Sequence, residues 1–156
     1  MDAIDKKILE LLKERGRITH EEISKILHIS RPAIHQRISK LEDRGIIRGY
    51  TAQIHWKDLG YQIKVLIFIK FHPHGFGRIA EQIMKIQIPN AIIEDFYRLA
   101  GEWCAVIKVR AHTPDDITVL IDEICKLQGI RETSTTFILS TLMENEDCYE
   151  SKKGGI

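Results

Sequence analysis

His35, Gln36 and Ser39 bring an imidazole, a carboxamide and a hydroxyl within about one helical turn of each other. Arg31, Lys40, Arg44 and Arg48 surround them with cations. A carboxamide pairs with the adenine edge in the major groove, and imidazole and hydroxyl groups make single hydrogen bonds there. Guanidinium and ammonium groups neutralise phosphates, adding affinity without sequence information. The chemistry these types suggest is the reading of a duplex nucleic acid.

They can act together only if a helix presents them on one side. Ile34, Ile38 and Leu41 recur at i, i+4 and i+7 and predict the buried side of such a helix. The opposite side carries Pro32, Gln36, Ser39 and Asp43, with Ala33, His35 and Lys40 on the flanks. Ser30 is expected to cap the helix, with Arg31 and Pro32 in its first turn, and Gly45 to end it after Arg44. Arg37 falls at the edge of the buried side, where it either orients on a carboxylate such as Glu42 or reaches a phosphate. The candidate DNA-contacting set is Ser30, Arg31, Pro32, His35, Gln36, Arg37, Ser39, Lys40, Arg44 and Arg48.

A partner helix precedes it. Thr19 and Glu22 form a capping-box pair, and Ile18 and Ile23 flank it as a hydrophobic staple. Ile23, Ile26 and Leu27 predict its buried side, and His28-Ile29-Ser30 the turn. Upstream, Asp2 opens a helix with a stripe of Ile4, Ile8, Leu11 and Leu12, ended by Gly16. The three helices make a helix-turn-helix unit, a geometry that places its second paired helix in the major groove. An ordinary helical hairpin with a solvated face is the alternative. After Gly45, Ile46–Ile54 reads as a short strand pair, either a wing or an arm leading out, and His55–Gly60 as a connector that packs against something.

Charge supports this division. The chain is nearly neutral at +1, but residues 1–53 hold 11 Lys/Arg against 8 Asp/Glu, whereas residues 54–156 hold 12 against 14. The modest positive excess lies with the polar helix, and two copies acting together would double the phosphate contacts.

The second half changes period. Ile63, Val65, Ile67, Ile69 and Phe71 alternate within a strand over Tyr61–His72, and Leu66 and Phe68 suggest that its other face is also covered. Phe76, Ile79, Ile83 and Ile86 predict a helix, with Pro89 beyond it. Ala91–Leu99 and Trp103–Ala111 read as strands around a turn at Gly101. Thr113-Pro114-Asp115-Asp116 starts a helix with Ile117, Leu120, Ile121 and Ile124 inward, ended by Gly129. Arg131–Leu142 reads as the last strand. The order βαββαβ predicts a ferredoxin-like antiparallel sheet with both helices on one face, and a second copy is the simplest cover for the other.

The longest apolar run, Val65–Ile69, is far short of a membrane span, and no secretory signal opens the sequence. Cys104, Cys125 and Cys148 form no paired-thiol motif, so a reduced cytoplasmic setting is expected. His72 and His74 bracket Pro73 without further ligands at metal-binding spacing, and no metal or cofactor is expected. Residues 143–156 are charged and aperiodic, and read as a tail.

Over roughly residues 2–142 the chain resembles the Lrp/AsnC, or feast/famine, family of transcriptional regulators. The marks are Asp5, Ile8 and Leu9; Gly16-Arg17-Ile18-Thr19; Ser30 with Arg37 and Leu41-Glu42; and Gly45-Ile46-Ile47 with Gly49-Tyr50. The resemblance implies an α+β fold, an N-terminal winged helix-turn-helix followed by a ferredoxin-like βαββαβ sensor domain. It also implies dimers through facing sheets, octamers in many cases, and amino acids bound between sensor domains. The expected organisation is a DNA-binding domain at 1–53, a connector at 54–61, a dimerisation and effector-sensing domain at 62–142 and a tail at 143–156.

One departure stands out. Where many members read Gly, any residue, aromatic, Asp after the second strand, this chain reads Gly101-Glu102-Trp103-Cys104. Those four residues are the candidate effector site, but a thiol replaces the carboxylate that would face an ammonium group. Glu102 substitutes, or the effector is not an ordinary α-amino acid, or none binds; Cys104 itself reads most simply as a small core residue. The expected function is a sequence-specific DNA-binding regulator, dimeric or larger and not an enzyme, with an amino acid or related metabolite as effector. The alternatives are an architectural DNA-wrapping protein without small-molecule control and, remotely, a small ligand-processing α+β enzyme.

Overall fold

Side chains write the starts of the first two helices. A computed structural model describes residues 1–72 and 75–141. Helix α1 spans Ala3–Glu14; Asp2 accepts from the Asp5 amide at 2.9 Å while Asp5 accepts from the Asp2 amide at 2.9 Å. Helix α2 spans His20–Leu27, with Thr19 and Glu22 in the same reciprocal arrangement. Helix α3 spans Arg31–Asp43. Ile8, Ile18, Ile23, Ile34, Ile38 and Leu41 form one buried cluster from all three, so the staple and the two inward stripes meet as the spacing requires.

Three local expectations change. Ser30 takes the N-cap position of α3, but its side chain makes no capping bond. An N-cap side chain serves the second or third helical N–H; Pro32 at the second has none to offer, and the Ser30 hydroxyl does not bond to the third, that of Ala33. Ile26 is 47% exposed rather than inward. It lies about 80° from the line midway between Ile23 and Leu27, too far round a helix of 3.6 residues per turn. No strand pair forms over Ile46–Ile54. The amides of Ile46 and Ile47 instead turn back to the Leu41 carbonyl at 2.9 and 3.2 Å after Gly45 at φ +66°, and the chain leaves as an arm.

The chain divides into two units, Met1–Gln53 and a second that begins at Ile54. The second opens with a 3-10 turn, Trp56–Leu59, followed by β1 (Ile63–Phe71), α4 (Phe76–Met84), β2 (Ala91–Arg98), β3 (Ala105–Ala111), α5 (Pro114–Cys125) and β4 (Ile130–Phe137). The sheet order is β2-β3-β1-β4, with every neighbouring pair antiparallel. Alternation in β1 sends Val65, Ile67, Ile69 and Phe71 into a core shared with Ile79 and Ile83 of α4 and Ile117, Leu120 and Ile124 of α5. This is the βαββαβ arrangement with its helices on one face. The Trp56 ring packs edge-on against Tyr61 at 5.5 Å and lies 5.5 Å from the Arg110 guanidinium, so the 3-10 turn is seated on the sheet.

The strands depart from the sequence limits by one or two residues at most ends and further at the end of β4. Trp103 and Cys104 precede β3 and belong to the preceding loop, which the Leu99 amide closes on the Cys104 carbonyl at 2.9 Å. β4 stops at Phe137, which pairs with Val65 near the start of β1, and does not run on toward Leu142. Beyond it the Ile138 amide donates to the Lys64 carbonyl at 2.9 Å. The end expected at Leu142, the tail at 143–156, Cys148 and His74 lie outside the described residues.

Candidate nucleic-acid interface

Buried Ile34, Ile38 and Leu41 fix the rotation of α3 about its axis, and the remaining positions follow from that. Arg31, Pro32, His35, Gln36 and Lys40 are exposed, as are Ser30 before the helix and Arg44 and Arg48 after it; Ser39 is half-buried. Among the described residues no ion pair holds Arg31, Lys40, Arg44 or Arg48. Thirteen helical residues make a rod about 20 Å long, sufficient to lie along a groove.

The turn before α3 is set by His28, whose φ of +54° and ψ of 41° place it in the left-handed region. The Ser24 hydroxyl donates to the Ile29 carbonyl at 2.5 Å and closes the turn. The His20 ring, at the start of α2, sits 5.3 Å from the His35 ring, tilted by 38°. His35 is thus supported from α2 as well as exposed on α3, a contact that linear spacing did not reveal.

Arg37 belongs elsewhere. Its Nη1 stands 2.7 Å from Asp2 Oδ2 and 2.7 Å from Asp5 Oδ1, so it ties α3 to the capping box of α1. Glu42, the carboxylate expected beside it, instead accepts from the Tyr50 hydroxyl at 2.9 Å. That bond folds the outgoing arm back along α3. Reciprocal amide bonds and then the Arg37 guanidinium hold the Asp2 and Asp5 carboxyls below the ordinary carboxylate range.

The Gly101–Cys104 loop of the second unit has a different character. Cys104 is half-buried, packs against the core, and its thiol lies 3.5 Å from the Phe71 carbonyl. It is part of the packing. Glu102 is exposed, and its carboxylate is already paired with Lys70 Nζ at 3.0 Å. Trp103 leans on Phe68 with ring centroids 5.9 Å apart. Lys70 and Glu132 join this loop only through the fold, and neither was in the candidate set.

Comparison with known proteins agrees with both units. The family model described as winged helix-turn-helix DNA-binding matches residues 1–48, and the Lrp/AsnC ligand binding domain matches residues 64–147. The HTH-type transcriptional regulator FL11 of Pyrococcus furiosus is 30% identical over 147 residues, covering 94% of this chain and 95% of that protein. The structure of Bacillus subtilis LrpC (B.subtilis) is similar at a TM-score of 0.81 and 26% identity, covering 92% of this chain and 97% of that one. That of Escherichia coli AsnC (E.coli) gives 0.83 and 26%, covering 92% and 95%. A DNA-binding helix-turn-helix joined to a four-stranded α+β domain, matched along nearly the whole chain, leaves one assignment: the chain belongs to the Lrp/AsnC family of transcriptional regulators.

Proposed function

We propose that α3 docks in the major groove of duplex DNA, with Gln36 and His35 at base edges and Arg31, Lys40, Arg44 and Arg48 at phosphates. The observation that carries this reading is the division of α3. Its apolar residues Ile34, Ile38 and Leu41 are buried, Arg37 is consumed by Asp2 and Asp5, and the amide and the four cations are exposed, with no ion-pair partner for the cations among the described residues. Ser30, Pro32 and Ser39 shape the approach of the first turn and the flank. Residues 1–53 act as the DNA-binding domain, 54–61 as connector, 62–142 as the dimerisation and sensing domain and 143–156 as a tail.

The chain acts as a dimer or larger homo-oligomer. Leu66 and Phe68 of β1 lie on the sheet face away from α4 and α5, Phe68 opposite Val106 of β3 and Leu66 opposite Lys108, and Tyr97, paired with Val106, is 55% exposed. Such a face favours a second copy of the sheet. The relatives named above are regulators, and the proposal gives the chain no catalytic step. No helix among the described residues is long and apolar enough to cross a membrane; the proposed place of action is the cytoplasm.

Selection of binding sites from random duplexes tests this directly. A recovered motif, with Gln36→Ala weakening it by about 1–3 kcal/mol and leaving random duplex binding unchanged, supports sequence-specific regulation. Recovery of no motif, with equal binding by Gln36→Ala, points instead to an architectural protein.

A further inference from the structure

Lys70 makes an unusual set of contacts for a strand lysine. Its ammonium stands 3.0 Å from Glu102 Oε1, 3.0 Å from Glu132 Oε2 and 4.4 Å from the centroid of the Trp103 ring. Two carboxylates and an aromatic face are the elements of an ammonium-binding cage. Three separate parts of the unit build it: β1 supplies the cation, the 101–104 loop two walls and β4 the third. Lys70 faces Glu132 directly in the strand register. Its side chain is 25% exposed while the carboxylates around it are more open, at 76% and 56%, so the cation is the enclosed member.

We propose that Lys70 is a built-in ammonium ligand: its Nζ fills the cage of Glu102, Glu132 and Trp103, so that no free primary amine enters there. The consequence for sensing rests on the proposed regulator function, but the occupancy does not. Glu102 replaces a loop acid in sequence, but its carboxylate is already paired with Lys70 within the chain. The loop is held by residue 70 whatever the metabolite supply, and an effector with an ammonium group is turned away from this position. The specificity of the loop is therefore set by a lysine on a neighbouring strand.

The test is chemical complementation. Wild type, Lys70→Ala and the triple variant Lys70→Ala/Glu102→Gln/Glu132→Gln are titrated with n-propylammonium chloride against sodium chloride at equal ionic strength, followed by tryptophan emission. Lys70→Ala should bind the amine about tenfold more tightly than wild type, and the triple variant should lose that gain. Equal binding by wild type and Lys70→Ala, or a gain that survives in the triple variant, overturns the proposal. Lys70→Met with methylammonium repeats the comparison with the alkyl stem kept, and decides it if Lys70→Ala fails to fold. Duplex binding by wild type is measured separately: its absence removes the regulator reading and leaves the cage result standing.

Discussion

Arg37 Nη1 lies 2.7 Å from Asp5 Oδ1, joining the middle of α3 to the capping box that opens α1. Asp5 is the more enclosed of its two partners, with a side chain 15% exposed against 52% for Asp2. The pair does two things at once. It closes the three-helix unit, and it anchors the helix whose outer face is proposed to meet DNA. Arg37→Met keeps the stem and removes the fork, and should lower the melting temperature of the first unit by about 3–6 °C. The same change should weaken all duplexes alike through loss of α3 positioning. A selective loss at one base position would instead mean that Arg37 reads DNA itself.

Acid should act on the same unit. Glu22 is held down to about 2 from 4.5, first by the Thr19 amide, then by the Thr19 hydroxyl and the Arg15 guanidinium. A carboxyl whose value is lower in the folded chain contributes stability that is complete above its unfolded value. That contribution is lost as pH falls through the folded value. Melting temperature should therefore fall between about pH 4.5 and 2, and Glu22→Gln should flatten this slope while lowering stability at neutral pH. An unchanged acid slope in Glu22→Gln would remove this account.

The exposed cations make a separate prediction. Lys40→Ala and Arg48→Ala should each weaken specific and random duplexes to a similar degree. Each should also reduce the slope of log affinity against log salt by about 1. Filter binding across a salt series measures both quantities. A sequence-dependent loss in either variant would place that side chain at a base edge.

Local chemistry was legible in the sequence, and distant pairing was not. Thr19 with Glu22 and Thr113 with Asp116 act across three residues, so both helix starts could be read from spacing, and both capping boxes form. Alternation gave the inward residues of β1, because a strand with one face on helices has period two. Arg37 was ambiguous because its carboxylates lie 32 and 35 positions away. The parity of β2 was hidden for another reason. A bulge between Ile93 and Asp95 sends both Ile93 and Phe96 to the core, three positions apart where strict alternation allows two. Lys70 carries no signal of its own in the sequence, since Glu102 and Glu132 come to it from other elements. The wing expected after Gly45 failed because its β-prone residues have no neighbouring strand to complete a ladder.

The turn between α2 and α3 tests backbone conformation alone. His28 carries the left-handed geometry that glycine adopts at little cost. A β-branched side chain there should be worse than glycine by about 1–2 kcal/mol. His28→Val should thus unfold at lower denaturant than His28→Gly, with both solvated and neither altering the core. Equal stability of the two would mean that the turn relaxes out of this geometry.

The bulge in β2 also has an energetic consequence. It turns Glu94 and Asp95 toward Lys108, which lies 3.3 Å from Glu94 and 3.7 Å from Asp95, and Glu94 also binds the Arg110 guanidinium. The Arg110 side chain is 8% exposed and that of Glu94 13%, and the Trp56 ring lies 5.5 Å from the Arg110 guanidinium. Two buried opposite charges roughly offset their own desolvation, whereas one alone does not. Glu94→Leu removes a carboxylate that both Arg110 and Lys108 meet in this enclosed cluster, and should destabilise the second unit by about 1–3 kcal/mol. Adding Arg110→Met restores an uncharged filling of similar volume and should recover most of that loss. Urea unfolding of the single and double variants measures the difference. Should the double variant be as unstable as the two single losses combined, the pair would not be acting as a unit, and the enclosure by Trp56 would be the larger contribution.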